Sequence, residues 1–258
     1  MENTKTMKAM ILAAGRGERM RPLTDHTPKP LLGAGGKPLI VWHIERLVNA
    51  GITELVINHA HLGEKIEKLL GDGSRFGAQI QYSSEAIALE TAGGIANALP
   101  FLLPSHGGGV EGEGSPFAVI NGDIYCDYDF ARLPERAATL HASGDAAHLV
   151  LVNNPVHHPK GDFCLHNGRI VPLPSPACGG GAGGEGKLTF SGIGLYQPSL
   201  FIHIPRGSVA PLAPLLRAQI ALGKVSGEHH AGFWLDVGTP QRLQELDEYL
   251  HTIQAHHD

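Results

Sequence analysis

Between Lys8 and Val152, short apolar runs alternate with segments of helical period, and this alternation restricts the chain to very few architectures. Lys8 to Ala14, Glu54 to Asn58, Phe117 to Asn121 and Ala146 to Val152 read as strands, each short, apolar and bounded by turn residues. A helix is expected to start near Pro38, turn Ile40, Ile44, Leu47 and Val48 inward and stop at Gly51. A second is expected from His61 to Leu70, with Leu62, Ile66, Leu69 and Leu70 on one face and Gly71, Asp72 and Gly73 ending it. The fold class is therefore α/β, with a Rossmann-like, mostly parallel (mixed) sheet flanked by helices. Ligands bind such sheets beyond the carboxyl ends of the strands.

The first strand runs straight into GRGERMRPLTDHTPKPLL, residues 15 to 32. Gly15 and Gly17 let the backbone approach a ligand and turn its N–H groups toward it. Arg16, Arg19, Arg21 and Lys29 supply cations for phosphate oxygens. Two familiar phosphate loops fail by inspection. A dinucleotide fingerprint requires a third glycine where Met20 stands, and a P-loop requires Ser or Thr where Pro38 follows Lys37. Taken alone, the same arginines also read as a solvated turn.

Composition removes other classes of function. The 258 residues suit one sizeable domain, and 42% hydrophobic with 17% charged residues is a globular balance. A formal charge of −5 offers no basic field for nucleic acid. The apolar run from Met7 to Ala14 is too short to cross a membrane and reads as a buried strand. Cys126, Cys164 and Cys178 are spaced as neither a zinc knuckle nor a disulfide framework, which fits a reducing, cytoplasmic setting. The adjacent histidine pairs His157–His158 and His229–His230 should diverge rather than chelate one ion. Residues 105 to 115 and 174 to 186 are glycine-rich and read as flexible loops within the domain.

Two carboxylates give the phosphate reading its chemistry. Asp123 follows the strand Phe117 to Asn121 in the tripeptide NGD, and Asp236 lies in FWLDVGTP ahead of the last helix. Mg²⁺ takes one or two carboxylates, waters and the substrate's own phosphates, so two strand-end aspartates suffice for a phosphoryl-transfer site. Either aspartate alone would also pass as a turn residue or helix cap.

With these residues in view, the chain resembles the sugar-1-phosphate nucleotidyltransferase family. The resemblance rests on Gly15, Gly17, Arg19 and Met20, on Pro28, Lys29 and Pro30, and on TAGGI at 91–95, NGD at 121–123 and WLDVGTP at 234–240, in that order. Four further passages are similar to the uridylyl-transferring branch that serves cell-wall (peptidoglycan) recycling. They are INHAHLGEKIEKLLGDGSRFG at 57–77, GDF at 161–163, LTFSGIGLY at 188–196 and KVSGEHHAGFWLDVGT at 224–239. The E-K-P element of many relatives is missing, and Lys160 and Lys187 are the substitutes considered for its lysine.

The resemblance implies a GT-A-like nucleotidyltransferase fold in a single domain. Its nucleotide-binding part would run over about residues 7–125, its sugar-phosphate-binding part over about 126–240 and its C-terminal helix over about 240–252. It implies UTP and a sugar 1-phosphate, N-acetylmuramic acid 1-phosphate, as substrates, Mg²⁺ as cofactor, and a monomer or small homo-oligomer. Arg19 and Lys29 would stabilise the reacting phosphates, and Asp123 and Asp236 would hold the metal. Ala13, Ala14, Gly15, Gly17, Asn58, Glu85 and Gly93 would surround the nucleotide, and Asp162, Ser191, Gly192 and Glu228 the sugar phosphate. Thr91 is expected to cap the helix that carries Ile95, Ala98 and Leu99. Guanylyl or thymidylyl transfer, or a non-catalytic nucleotide-sugar sensor, would keep the same fold.

Overall fold

The computed structural model describes residues 7–103, 114–172 and 186–255, so most of both glycine-rich segments lies outside the described residues. The chain opens with β1 (Lys8–Leu12), the small hairpin β2 (Gly33–Ala34) and β3 (Lys37–Pro38), α1 (Leu39–Asn49), β4 (Glu54–His59) and α2 (Gly63–Leu70). β5 (Gln79–Ser84), α3 (Glu90–Leu102), β6 (Phe117–Asn121), β7 (Ile124–Cys126), α4 (Leu133–Ser143) and β8 (Ala147–Val152) follow. The last part comprises β9 (Phe163–His166), β10 (Arg169–Val171), β11 (Gly186–Tyr196), α5 (Leu212–Ala221), β12 (Val225–His230), β13 (Trp234–Asp236) and α6 (Pro240–Ala255). The four strands expected from the sequence are present, with ends moved by two residues at most.

Nine strands form one sheet in the order β5-β4-β1-β6-β11-β8-β12-β10-β9. β5, β4, β1 and β6 run parallel, β11 is antiparallel to both β6 and β8, and β12 is parallel to β8. The sheet is therefore mixed. Alternate residues of β1 serve opposite layers: Ala9 and Ile11 pack with α1, α2 and α4, and Met10 packs with α3 and α5. Each such fully buried large side chain contributes roughly 1.5–3 kcal/mol by leaving water. A third cluster joins Met20 and Leu39 to Tyr125, Leu235, Leu246 and Leu250, so α6 closes over the loop that follows β1.

The order also locates the site. From β1 the chain moves outward through β4 to β5 and then returns to lay β6 on the other side of β1, which opens a crevice at the carboxyl ends of those strands. The backbones almost touch there. Gly122 N–H donates to the Leu12 carbonyl at 2.9 Å, and a Cβ at Gly122 would fall 2.6 Å from that oxygen. Among the described residues no helix is long and apolar enough to cross a membrane. Cys126 is a buried free thiol, whereas Cys164 is disulfide-bonded, contrary to the expectation from cysteine spacing.

Candidate active site

Two cavities meet at the crevice. The first, of about 260 Å³, is lined by Ala13, Ala14 and Gly15 after β1, by Asn58 near the end of β4 and Glu85 just after β5, and by Lys29, Glu90, Thr91, Asn121 and Asp123. The second, of about 380 Å³, shares Glu90, Thr91 and Asn121 with it and continues along Asp162, Phe163, Phe190 and the residues of α5. Glu90 holds a φ of +58° between the two, a left-handed conformation that residues with a Cβ seldom adopt. Thr91 lines both cavities from inside the first turn of α3. It is not the cap expected of it, since Leu89 occupies that position and no side chain caps the helix.

Asn58 and Glu85 act as braces rather than free ligands. The Asn58 Oδ1 accepts from Ala13 N–H at 2.9 Å, its Nδ2 donates to Glu85 Oε1 at 2.7 Å, and Glu85 Oε2 accepts from Leu89 N–H at 2.9 Å. All three bonds are buried, where an unmatched group would cost about 1–3 kcal/mol. The loop Ala13–Gly15 is thereby tied to the start of α3. Gly94, and not Gly93, faces this pair: a Cβ at Gly94 would lie 2.8 Å from both Asn58 Nδ2 and Glu85 Oε1. Gly93 instead lets α3 abut the segment Ser208–Ala210, to which it is hydrogen-bonded.

The charged centre draws on the loop after β1, the β6–β7 turn, β13, α6 and the segment after β8. Lys29 is buried, and its Nζ lies 2.6 Å from Asp123 Oδ2. Asp123 sits in the turn between β6 and β7, and β7 pairs with β13 so that Asp236 stands opposite Ile124. Val237 N–H donates to the Asp123 carbonyl at 2.8 Å, which fixes the two aspartates side by side. Asp236 Oδ1 accepts from Arg242 of α6 and lies 2.9 Å from His157 Nε2. Arg19 is exposed and approaches the same spot, its Nη2 being 3.2 Å from where a Cβ of Gly238 would be. Arg242 and His157 were not among the expected site residues; they lie 85 residues apart, and no motif joins them.

No hydrogen bond from the described residues reaches Asp123 Oδ1 or Asp236 Oδ2. Two aspartates on neighbouring backbone segments, each keeping a hard oxygen in reserve, match the donor set of Mg²⁺. A separate trio, Cys126, Asp127 and His230, brings its ligand atoms within 4.8 Å of one another. There burial pushes the Cys126 thiol up to about 12, so it stays protonated at neutral pH. The paired histidines do diverge: His157 reaches Asp236 and His158 reaches Asp162, while His229 meets Asn153 and His230 meets Asp127.

Several expected ligands have other duties. Ser191 is fully buried, donates to the Val150 carbonyl at 2.7 Å and accepts from Ile193 N–H, which stabilises an irregularity in β11. Gly192, at φ +84°, stands where a Cβ would strike the Asn121 side chain, so it supports the wall of the second cavity without lining it. Glu228 points toward α4, bonded to Tyr128 Oη, Arg132 and Arg136 at 2.6–3.1 Å for its closest contacts. Burial alone would raise its carboxyl, but hydrogen bonds from His148, Tyr128 and Arg136 outweigh that and hold it at about 2. Gly17 shapes the loop by accepting from the Thr24 hydroxyl at 2.8 Å and packing on Lys29. Lys160 and Lys187 are exposed and line neither cavity. Asp162 does line the second cavity, with Oδ2 accepting from Phe190 N–H and Oδ1 lying 2.9 Å from His158 Nε2.

Comparison with known proteins bears on this arrangement. Residues 8–161 match the nucleotidyl transferase family. The chain is 55% identical, over 93% of its length and 96% of the relative's, to N-acetylmuramate alpha-1-phosphate uridylyltransferase of Neisseria meningitidis serogroup B. It is 33% identical to a mannose-1-phosphate guanyltransferase of Hypocrea jecorina over 91% of its own length, and it spans 62% of that longer protein. Among solved structures, one from Bacillus anthracis assigned as a glucose-1-phosphate thymidylyltransferase superposes with a TM-score of 0.77 at 22% identity, covering 95% of each chain. HddC from Yersinia pseudotuberculosis, complexed with GMP-PN, superposes with a TM-score of 0.72 at 20% identity over 95% of this chain and 99% of that one. At such identities the two structures speak for the fold alone.

Proposed function

The chain belongs to the nucleotidyl transferase family, and from that premise we propose that it transfers the uridylyl group of UTP to N-acetylmuramic acid α-1-phosphate. The products are UDP-N-acetylmuramic acid and pyrophosphate, and the reaction serves cell-wall (peptidoglycan) recycling. The base and the sugar follow the activity in the name of the Neisseria meningitidis relative. One observation carries the reaction type: two cavities share Glu90, Thr91 and Asn121, and the Lys29–Asp123 pair stands beside their junction. A nucleotide in the first cavity and a sugar phosphate in the second would meet there.

A phosphate oxygen of the sugar 1-phosphate attacks the α-phosphorus of UTP in line. A new P–O bond forms, the bond to the β-phosphate oxygen breaks, and pyrophosphate leaves. The attacking oxygen is already anionic, so the protein aligns and neutralises rather than abstracting a proton. Lys29 faces the reacting phosphates from its buried position, and Arg19 meets the β,γ-phosphates. Ala13, Ala14 and Gly15, braced by Asn58 and Glu85, present backbone groups to the base. Asp123 and Asp236 are the residues that would hold Mg²⁺, whose charge screens the approach of two phosphates. Residues 7–125 thus carry the nucleotide half and 126–240 most of the sugar half, while α6 closes the charged centre.

Pyrophosphate release over a matrix of nucleoside triphosphates and sugar 1-phosphates tests the proposal. UTP with N-acetylmuramic acid 1-phosphate should give the highest kcat/KM. Faster turnover of GTP with mannose 1-phosphate, or of dTTP with glucose 1-phosphate, would overturn the substrate pair and leave the reaction class standing.

A further inference from the structure

The second cavity has a chemical bias that the reaction itself does not require. Its walls include apolar surface from Phe163, Phe190, Leu212 and Leu216, and one cation, Arg217, lines it. α5 explains the placement. Leu212, Leu216 and Ile220 bury themselves in the core at helical spacing, and Ala213 and Arg217, four residues apart on the neighbouring stripe, face the cavity. Arg217 is exposed and has no acidic partner among the described residues. The first turn of α5 also lines the cavity, with no side chain capping it, so its partial positive charge adds to that of the guanidinium.

Two carboxylates also line the cavity: Asp162, which accepts from Phe190 N–H and lies 2.9 Å from His158 Nε2, and Glu90 at the border shared with the nucleotide cavity. Among the described residues neither forms an ion pair with Arg217, so the guanidinium stays available to an anionic group of the ligand. Arg217 lines only the second cavity and is not among the residues it shares with the first, and a neutral hexose carries no anionic group besides its phosphate for a cation there to meet. N-acetylmuramic acid differs from N-acetylglucosamine by a lactyl ether that ends in a carboxylate. We propose that Arg217 is the specificity-determining residue of the sugar cavity and pairs with that lactyl carboxylate. The inference rests on the proposed substrate. Arg217 forms a charge-assisted bond, bidentate when the planar guanidinium meets both oxygens. Phe163 and Phe190 provide apolar surface for the lactyl and acetyl methyl groups.

Steady-state kinetics at saturating UTP test this with two acceptors, N-acetylmuramic acid 1-phosphate and N-acetylglucosamine 1-phosphate. Because an exposed guanidinium is partly screened by water, Arg217→Ala should raise KM for the acidic sugar about ten-fold. KM for the neutral sugar should stay within about two-fold, with kcat on either sugar little changed. Arg217→Lys should restore part of the preference, since it keeps the charge but loses the fork. Equal effects on both sugars, or none on the acidic one, would overturn the role of Arg217 while the wild-type preference stands. A wild-type enzyme that does not favour the acidic sugar would overturn the substrate reading, and this inference with it.

Discussion

Lys29 Nζ sits 2.6 Å from Asp123 Oδ2, across 94 residues of chain, and the lysine side chain is only 9% exposed while the aspartate is 43% exposed. The pair is thus rooted in the protein at one end and open to the cavity at the other. Lys29 is not the solvent-facing cation that its place in a glycine-rich loop suggests.

Arg19→Ala and Lys29→Ala should therefore separate in stability although both damage turnover. Each should lower kcat by roughly 10²–10³, the usual effect of losing one preorganised stabilising group. Arg19 is exposed, so its variant should keep its Tm. Lys29→Ala removes a buried side chain and leaves the half-exposed Asp123 carboxylate without its cation, which should cost on the order of 1 kcal/mol and lower Tm by a few degrees. Thermal melts beside initial-rate measurements check both halves, and normal turnover in both variants would contradict the proposed roles.

Asp123→Asn and Asp236→Asn keep the shape of each side chain and remove its charge. Turnover should collapse in both, and the Mg²⁺ concentration for half-maximal rate should rise, because the amide is a poorer ligand for a hard cation. Mg²⁺ titrations of initial rate give the answer. A variant that kept both rate and metal dependence would remove that aspartate from the site.

Glu228→Gln should be a stability variant with a normal sugar KM, since Glu228 faces Tyr128, Arg132, Arg136 and His148 rather than either cavity. Its carboxyl lies at about 2 in the fold against an ordinary 4.5. The unfolded chain takes up that proton more readily, so the contribution, on the order of 3 kcal/mol, is complete above about pH 5. It is lost as the pH falls toward 2. Urea unfolding between pH 6 and pH 3 should show the wild type losing stability more steeply than Glu228→Gln. Parallel curves would show that the carboxylate carries no such contribution.

Much of this arrangement was legible in the sequence, for a physical reason. Ala9, Ile11, Ala118 and Ile120 repeat with the period of a buried strand, Gly15 and Asp123 follow strand ends, where α/β sheets expose their ligand sites, and Asp236 closes β13. Ser191 and Glu228 misled because a polar residue inside a familiar passage looks the same whether it faces a substrate or satisfies its own neighbours. Only the partners, Val150 for Ser191 and α4 for Glu228, separate the two cases. Arg242 was missed for the converse reason: its partner His157 lies 85 residues earlier, in a loop without periodicity.

Arg242 holds the α6 side of the charged centre. Its Nη1 donates to Asp236 and lies 2.8 Å from His157 Nε2. A Cβ at Gly238 would stand 2.5 Å from Arg242 Nη2 and 3.2 Å from Arg19 Nη2. Two guanidinium groups therefore converge on one point with the single carboxylate of Asp236 between them. Like charges gathered this way repel, and one carboxylate leaves an excess of positive charge facing the place where the phosphates of UTP would end. Arg242→Gln should then raise the inhibition constant of pyrophosphate by about ten-fold and lower kcat/KM for UTP similarly, the scale of one charged hydrogen bond. The KM for the sugar phosphate should hardly move. α6 stays anchored through Leu246 and Leu250, so Tm should fall by little. Gly238→Ala offers an independent test, since its methyl group crowds both arginines without removing either charge. It should weaken pyrophosphate in the same direction, and unchanged pyrophosphate inhibition in both variants would show that Arg242 merely neutralises Asp236.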